Sequence, residues 1–195
     1  MNTLSRPFAA VLLCVAASFQ APAASVLPLY LDEMIDTATT AFEGRVTGNR
    51  TERDPATKLV VTYTTFEVLD PLKGAVGATH EIKQIGGVLP GEGLAYRVNG
   101  GPTFTVGEEY VVFLAGKSAV GFSSPIGLGQ GKFGVNADAR GRRVANGRDF
   151  KDMTSRIKDK LPPSAKAKVL HDDPVREMDI DDFKRTVRNH LESKR

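Results

Sequence analysis

The sequence predicts a mainly β protein: a small closed or partly closed β-barrel, preceded by one helix and followed by a charged helical tail. Three observations carry this. From Ala41 the apolar period changes to two and short β-branched, aromatic or apolar runs follow, glycine and proline punctuate that stretch at its bends, and from Arg148 the composition turns charged and helix-forming.

Ahead of the barrel lies an export signal. Met1–Arg6 carries one positive charge, Phe8–Ala17 is apolar, and Ala21-Pro22-Ala23-Ala24 supplies small residues for cleavage after Ala23 or Ala24. The apolar run is about half the ~20 residues needed to cross a bilayer. A periplasmic or secreted protein is expected, with residues 1–23 as signal peptide. Cys14 leaves with the signal, so the mature chain has no cysteine for a disulfide or a thiolate metal site. The remaining 172 residues hold 25 basic and 23 acidic side chains. Such a balance gives no reason to expect nucleic acid as a ligand, and no later apolar run is long enough for a membrane span.

Residues 28–41 read as a helix. Leu31, Met34, Ile35 and Ala38 form one apolar face, Pro28 suits the first turn, and Asp32 and Glu33 complement the positive end of the helix dipole. From Phe42 the period is two: Phe42, Gly44 and Val46 alternate with Glu43 and Arg45 in a half-buried strand. Leu59–Leu69 is β-branched and aromatic, and Thr79–Ile85 follows as a third strand. Residues 86–107 are glycine-rich, with one weak strand at Leu94–Val98. Tyr110–Leu114, apolar throughout, is expected to be covered on both faces. Val120–Phe122, Gly127–Val135 and a polar hairpin at 136–145 complete the barrel domain, residues 24–147.

In the tail, residues 148–195, prolines cut the chain into short pieces. The clearest helix is the last. Asp179 caps it, Asp181 and Asp182 fill its first turn, and Ile180, Phe183, Val187 and Leu191 form a stripe expected to dock on the β body.

Chemistry is sparse. His80, His171 and His190 lie in separate segments without metal-ligand spacing, and His80 reads as a surface histidine. Ser123-Ser124 lacks a nucleophile-presenting turn. Gly127-x-Gly129-x-Gly131-Lys132 lacks P-loop spacing and a following helix, so its glycines read as a bend or a close approach of another segment. Asp172, Asp173, Asp179, Asp181 and Asp182 lack the rhythm of a calcium loop. Arg140, Arg142, Arg143 and Arg148 read as a solvated basic turn, or as a patch for an acidic partner. Glu81, Glu92, Glu108 and Glu109 are the carboxylates from which a hydrolase acting on envelope polymers would draw a pair. No catalytic residue, cofactor or metal is expected.

Three blocks carry a resemblance: Asp36-x5-Phe42-x-Gly44-x-Val46, Thr65-Phe66-Glu67-Val68-Leu69-x3-Lys73-Gly74, and Val106-Gly107-Glu108-x-Tyr110-Val111-Val112-Phe113-Leu114. Together they resemble the netrin-like module of the tissue inhibitors of metalloproteinases, and still more a set of exported bacterial proteins in which a G-L-x-Q-G-x-F block follows, here Gly127–Phe133. The resemblance covers residues 30–136. It implies an OB-type barrel that binds a protein partner and does no chemistry, with a secreted metalloprotease as the partner. In that family an N-terminal cysteine places its amine and carbonyl on the protease zinc. This chain has no cysteine there, and retains only a free end, Ala24-Ser25-Val26-Leu27, just before the helix. That end and the glycine-rich loop 86–103, with Tyr96 and Arg97, form the expected partner-binding surface. An envelope-associated structural role is the other non-enzymatic reading.

Overall fold

Two long strands, β1 (Thr40–Arg53) and β2 (Val60–Lys73), form an antiparallel ribbon around which the rest is built. In the computed structural model, which describes residues 27–92 and 95–195, β1 runs seven residues beyond the Val46 at which the alternating pattern ends. Its second half is polar because it pairs with β2 away from the main core. Register shifts after Ala41, Glu43 and Val46 bend the ribbon. Gly44 sits at one of them, where a Cβ would lie 2.9 Å from the Glu67 carbonyl oxygen.

The other strands add on either side. β3 (Thr79–Ile85) pairs with β2. On the far side β6 (Glu109–Leu114) pairs with the first half of β1, then β7 (Lys132–Asp138), β8 (Gly141–Ala145) and the two-residue β9 (Met178–Asp179) follow. The order β3-β2-β1-β6-β7-β8-β9 is antiparallel throughout. Its end strands do not pair with each other, so the sheet is open and no closed barrel forms. A small hairpin, β4 (Gly87–Val88) with β5 (Ala95–Tyr96), is separate; of the strand expected over 94–98, Leu94 lies outside the described residues and only Ala95–Tyr96 pair among the rest. Val120–Phe122, expected as a strand, lies in a loop that bridges the curled half of the sheet. Ser123 N–H donates to the Lys83 carbonyl on β3 (3.0 Å), and Pro125 bridges to Leu114 at the end of β6.

β6 is covered on both faces, as its sequence predicts. Tyr110, Val112 and Leu114 point into the curl with Phe42, Val46, Phe66, Ile82 and Phe104. There the rings stack edge-to-face, Phe66 to Phe104 and Phe104 to Tyr110 each at 5.1 Å between centroids. Val111 and Phe113 point the other way, into a larger core closed by the helices.

That core explains the tail. α1 (Leu31–Thr37) is shorter than expected, because Pro28 precedes it and Tyr30 stands at its N-cap, its amide bonded to the Glu33 carboxylate (2.9 Å). Leu31, Met34, Ile35 and Ala38 are all buried. α2 (Phe150–Met153) and α3 (Pro163–His171) contribute Phe150, Met153, Ala165 and Val169. α4 (Ile180–Glu192) lays its stripe across them, and Phe183 lies 4.8 Å from the Phe133 ring. Asp179 caps α4 by accepting from the amides of Asp181 and Asp182 (2.9 and 3.2 Å). Each large side chain fully buried here is worth about 1.5–3 kcal/mol, so residues 148–195 share the main core with the strands.

Candidate functional site

The carboxylates available for acid–base chemistry are each committed. Glu109, at the start of β6, lies between two guanidiniums: Arg45 and Arg142 both bond it. Burial pushes its carboxyl up, and those two hydrogen bonds more than reverse this, holding it below the usual range. Glu108, its neighbour, accepts from the Tyr110 hydroxyl. Glu92 takes Arg53 at 3.0 Å, and Glu81 is within 3.5 Å of the Thr65 hydroxyl.

One carboxylate missed by the alternating pattern matters more. Glu43 was expected to point outward from β1, yet it is 2% exposed. The face opposite Phe42 is not solvent, because α4 covers it. Lys184 of α4 donates to Glu43 (2.8 Å), and Arg142 of β8 bonds the same carboxylate. Lys184 also reaches Asp70 (3.0 Å), which Arg188 bonds at 2.6 Å. The result is a charge lattice tying β8 and α4 to β1 and β2.

The basic turn is correspondingly spent. Arg140 pairs with Asp138 and Glu177, Arg142 with Glu43 and Glu109, and Arg143 with Glu177, while Arg148 bonds the Leu29 carbonyl and Gln130. Each of these four arginines thus has a partner within the chain, and Arg140 remains 65% exposed. His80 also differs from its expected surface setting. It is half-buried, 5.1 Å from the Phe42 ring, and burial lowers its pKa. His190 is buried with Nε2 2.9 Å from Asp36 of α1. Among the described residues no three His, Cys, Asp or Glu side chains converge as metal ligands. No helix there is long and apolar enough to cross a membrane.

Depressions among the described residues include a cleft of about 190 Å³ between α3, α4 and β9, lined by Arg143, Lys168, Val169, Met178 and Asp182. A shallower one of about 350 Å³ lies beside Glu108 and Glu109.

The expected partner-binding surface divides in two. Ala24, Ser25 and Val26 lie outside the described residues. Leu27 is 80% exposed, but its backbone is fixed: Gln130 Nε2 donates to the Leu27 carbonyl (3.0 Å), and the Leu29 amide donates to Gln130 Oε1 (2.8 Å). Gln130 ends a tight 3₁₀ turn, Ile126–Gly129, in which Gly127, Leu128 and Gly129 all have positive φ and Leu128 is 54% exposed. Gly129 abuts Pro102 and the Gly100 carbonyl, and the Gly101 amide bonds back to Val98, itself exposed. Leu27, Leu128 and the 98–102 segment therefore lie at one end of the molecule. Tyr96 and Arg97 are both exposed, but the Tyr96 hydroxyl takes Arg53 (3.4 Å), and the β4–β5 hairpin it belongs to rests on Thr51 and Thr62 of the ribbon. The sequence places Arg148 in the basic turn and Gln130 in the G-L-x-Q-G-x-F block at Gly127–Phe133, neither of them at the expected partner-binding surface. Gly131 itself permits a close approach: a Cβ there would lie 2.8 Å from the Phe113 carbonyl oxygen.

No protein-family model, no curated protein and no solved structure matches the chain.

Proposed function

We propose that this protein is an exported, non-enzymatic binding module of the netrin-like, OB-type kind. It engages a protein partner, a secreted metalloprotease in the leading version, through the end carrying Leu27, Leu128 and the 98–102 loop. The observation that carries the reading is the stapling of residues 27–29 beside the exposed Leu128. An apolar side chain held out on a fixed backbone loses little further freedom on binding, the arrangement that favours affinity. The barrel-like half is supported by the curl of β1, β2, β3 and β6 around one aromatic cluster, with the Ser123–Pro125 segment spanning from β6 to β3. Binding rather than catalysis is supported by the ion pairs and hydroxyl contacts that occupy Glu81, Glu92, Glu108 and Glu109.

Purified mature protein is tested for binding to, and inhibition of, secreted zinc metalloproteases, with its N-terminus verified by mass spectrometry. The double variant Leu27→Asp/Leu128→Asp is expected to weaken binding at least tenfold while keeping the wild-type melting temperature; aspartate tolerates the positive φ at position 128. Equal binding by wild type and double variant would remove this end of the molecule from the proposal. Acetylating the α-amine separates two modes. Loss of inhibition with retained binding indicates an amine on the protease zinc, and retained inhibition indicates occlusion by the surface.

A further inference from the structure

We propose that the C-terminal region serves as the positioning element of the N-terminal segment, with Arg148 as its principal side chain. This rests on the reading that the Leu27 end is where a partner docks.

No strand holds residues 27–30: their backbone joins no ladder of the sheet. They are held instead by side chains remote in sequence. Gln130 takes both the Leu29 amide and the Leu27 carbonyl, so a single amide group reads two backbone positions on alternate residues. Arg148 completes the clamp from the other side. Its guanidinium donates to the Leu29 carbonyl and, at 3.0 Å, to Gln130 Oε1, which orients the amide that grips the segment. Asn146 secures this corner by donating to the Gln130 carbonyl (3.1 Å) and accepting from the Arg148 amide (3.1 Å).

The next residues are gripped by the same region. The Arg156 guanidinium lies 3.6 Å from the centre of the Tyr30 ring and bonds Glu33 at 2.7 Å. His190 and Lys194 both bond Asp36 at the end of α1. Thus Leu29, Tyr30, Glu33 and Asp36 each meet a side chain from 148–195, at sequence separations of 119 to 158 residues. A cysteine-free mature chain cannot brace this segment with a disulfide. Here planar guanidinium and amide groups, whose several donors are fixed in direction, provide the bracing.

Arg148 is only half-buried, and Met can replace its stem without its donors. The test therefore compares wild type, Arg148→Met, Arg148→Lys and Gln130→Ala, each carrying spin labels at Leu27→Cys and the exposed Thr79→Cys. Electron–electron distance measurements are expected to give one narrow distribution for wild type. Arg148→Met and Gln130→Ala should at least double its width, with far-ultraviolet circular dichroism and melting temperature close to wild type. Arg148→Lys, which keeps charge but loses the planar Nη1 whose two N–H directions serve the Leu29 carbonyl and Gln130 Oε1, is expected to resemble Arg148→Met. Unchanged distributions in all three variants would overturn the inference without reference to any partner.

Binding to the metalloprotease probe, measured on unlabelled variants, separates this inference from the functional reading. If deleting residues 24–30 abolishes binding but Arg148→Met binds as wild type, positioning is refuted and the docking surface stands. If the deletion binds as wild type, the docking surface is refuted, and with it the role assigned here to the clamp. Weakened binding by both, with a broadened distance distribution, supports the inference. Weakened binding by Arg148→Met with an unchanged distribution overturns it, because Arg148 would then act by direct contact.

Discussion

Replacing Lys184 by Met tests the buried lattice under α4. The ammonium lies 2.8 Å from Glu43, which is 2% exposed, and 3.0 Å from Asp70. Methionine fills nearly the same volume, so the change removes charge and donors with little change in packing. Breaking a buried ion pair by deleting one partner costs about 3–5 kcal/mol, because the remaining charge stays desolvated. Arg142 still bonds Glu43 and is partly open to water, so the lower end applies. About 3 kcal/mol is expected, corresponding to a fall in Tm of about 6–12 °C for a domain of this size. Urea unfolding at pH 7, followed by circular dichroism, measures the loss; the midpoint should move with the slope unchanged. The double variant Glu43→Gln/Lys184→Met removes the stranded charge as well, and should recover half or more of the loss. A single-variant loss below about 1 kcal/mol, or a double variant that loses the full sum of both singles, would refute this account of Glu43.

Three further outcomes follow from other sites. Asp54 is held at about 2 by Lys83 and by the Thr57 hydroxyl and amide, well below its ordinary 3.8, so it stabilises the fold above pH 4 and that contribution disappears as pH falls towards 2. Urea midpoints between pH 2 and 5 should fall more steeply for wild type than for Asp54→Asn, and parallel curves would contradict the assignment. Gly131→Ala forces a Cβ to 2.8 Å from the Phe113 carbonyl oxygen and should cost about 1–3 kcal/mol, as overpacking does; Gly48→Ala, where a Cβ meets nothing within 4 Å at an ordinary φ, is the control. Phe183→Ala empties the centre of the helical core and should cost about 3–5 kcal/mol by the same urea assay, whereas Leu170→Ala on the exposed side of α3 should fall within about 0.5 kcal/mol of wild type.

Where one periodicity and one cap decide an element, the chain announces it. α4 was legible from the Asp179 cap and the Ile180–Leu191 stripe, and β6 from five consecutive apolar residues. What depended on a distant segment was not. The outer half of β1 is polar, so no burial pattern marked it as strand, and only pairing with β2 shows it. Glu43 looked solvent-facing because α4, which covers it, lies 141 residues away in the chain. β9 is two residues long and carries no pattern of its own. The candidate surface was legible at Leu27, whose place before the first helix could be read directly. Leu128 and Gln130 stood out only within the Gly127–Phe133 block and Arg148 only within the basic turn; their place beside Leu27 was not legible, because a tight turn of positive-φ residues and a guanidinium reaching back 119 residues leave no periodic trace.

The bond between Asp36 and His190 joins residues 154 apart, one on the first helix and one on the last. A chain emerging in order from its N-terminus can form the β1–β2 ribbon early. It cannot bury Leu31, Met34 and Ile35 until α4 is free to cover them. The main core is thus complete only when both ends of the described chain are in place.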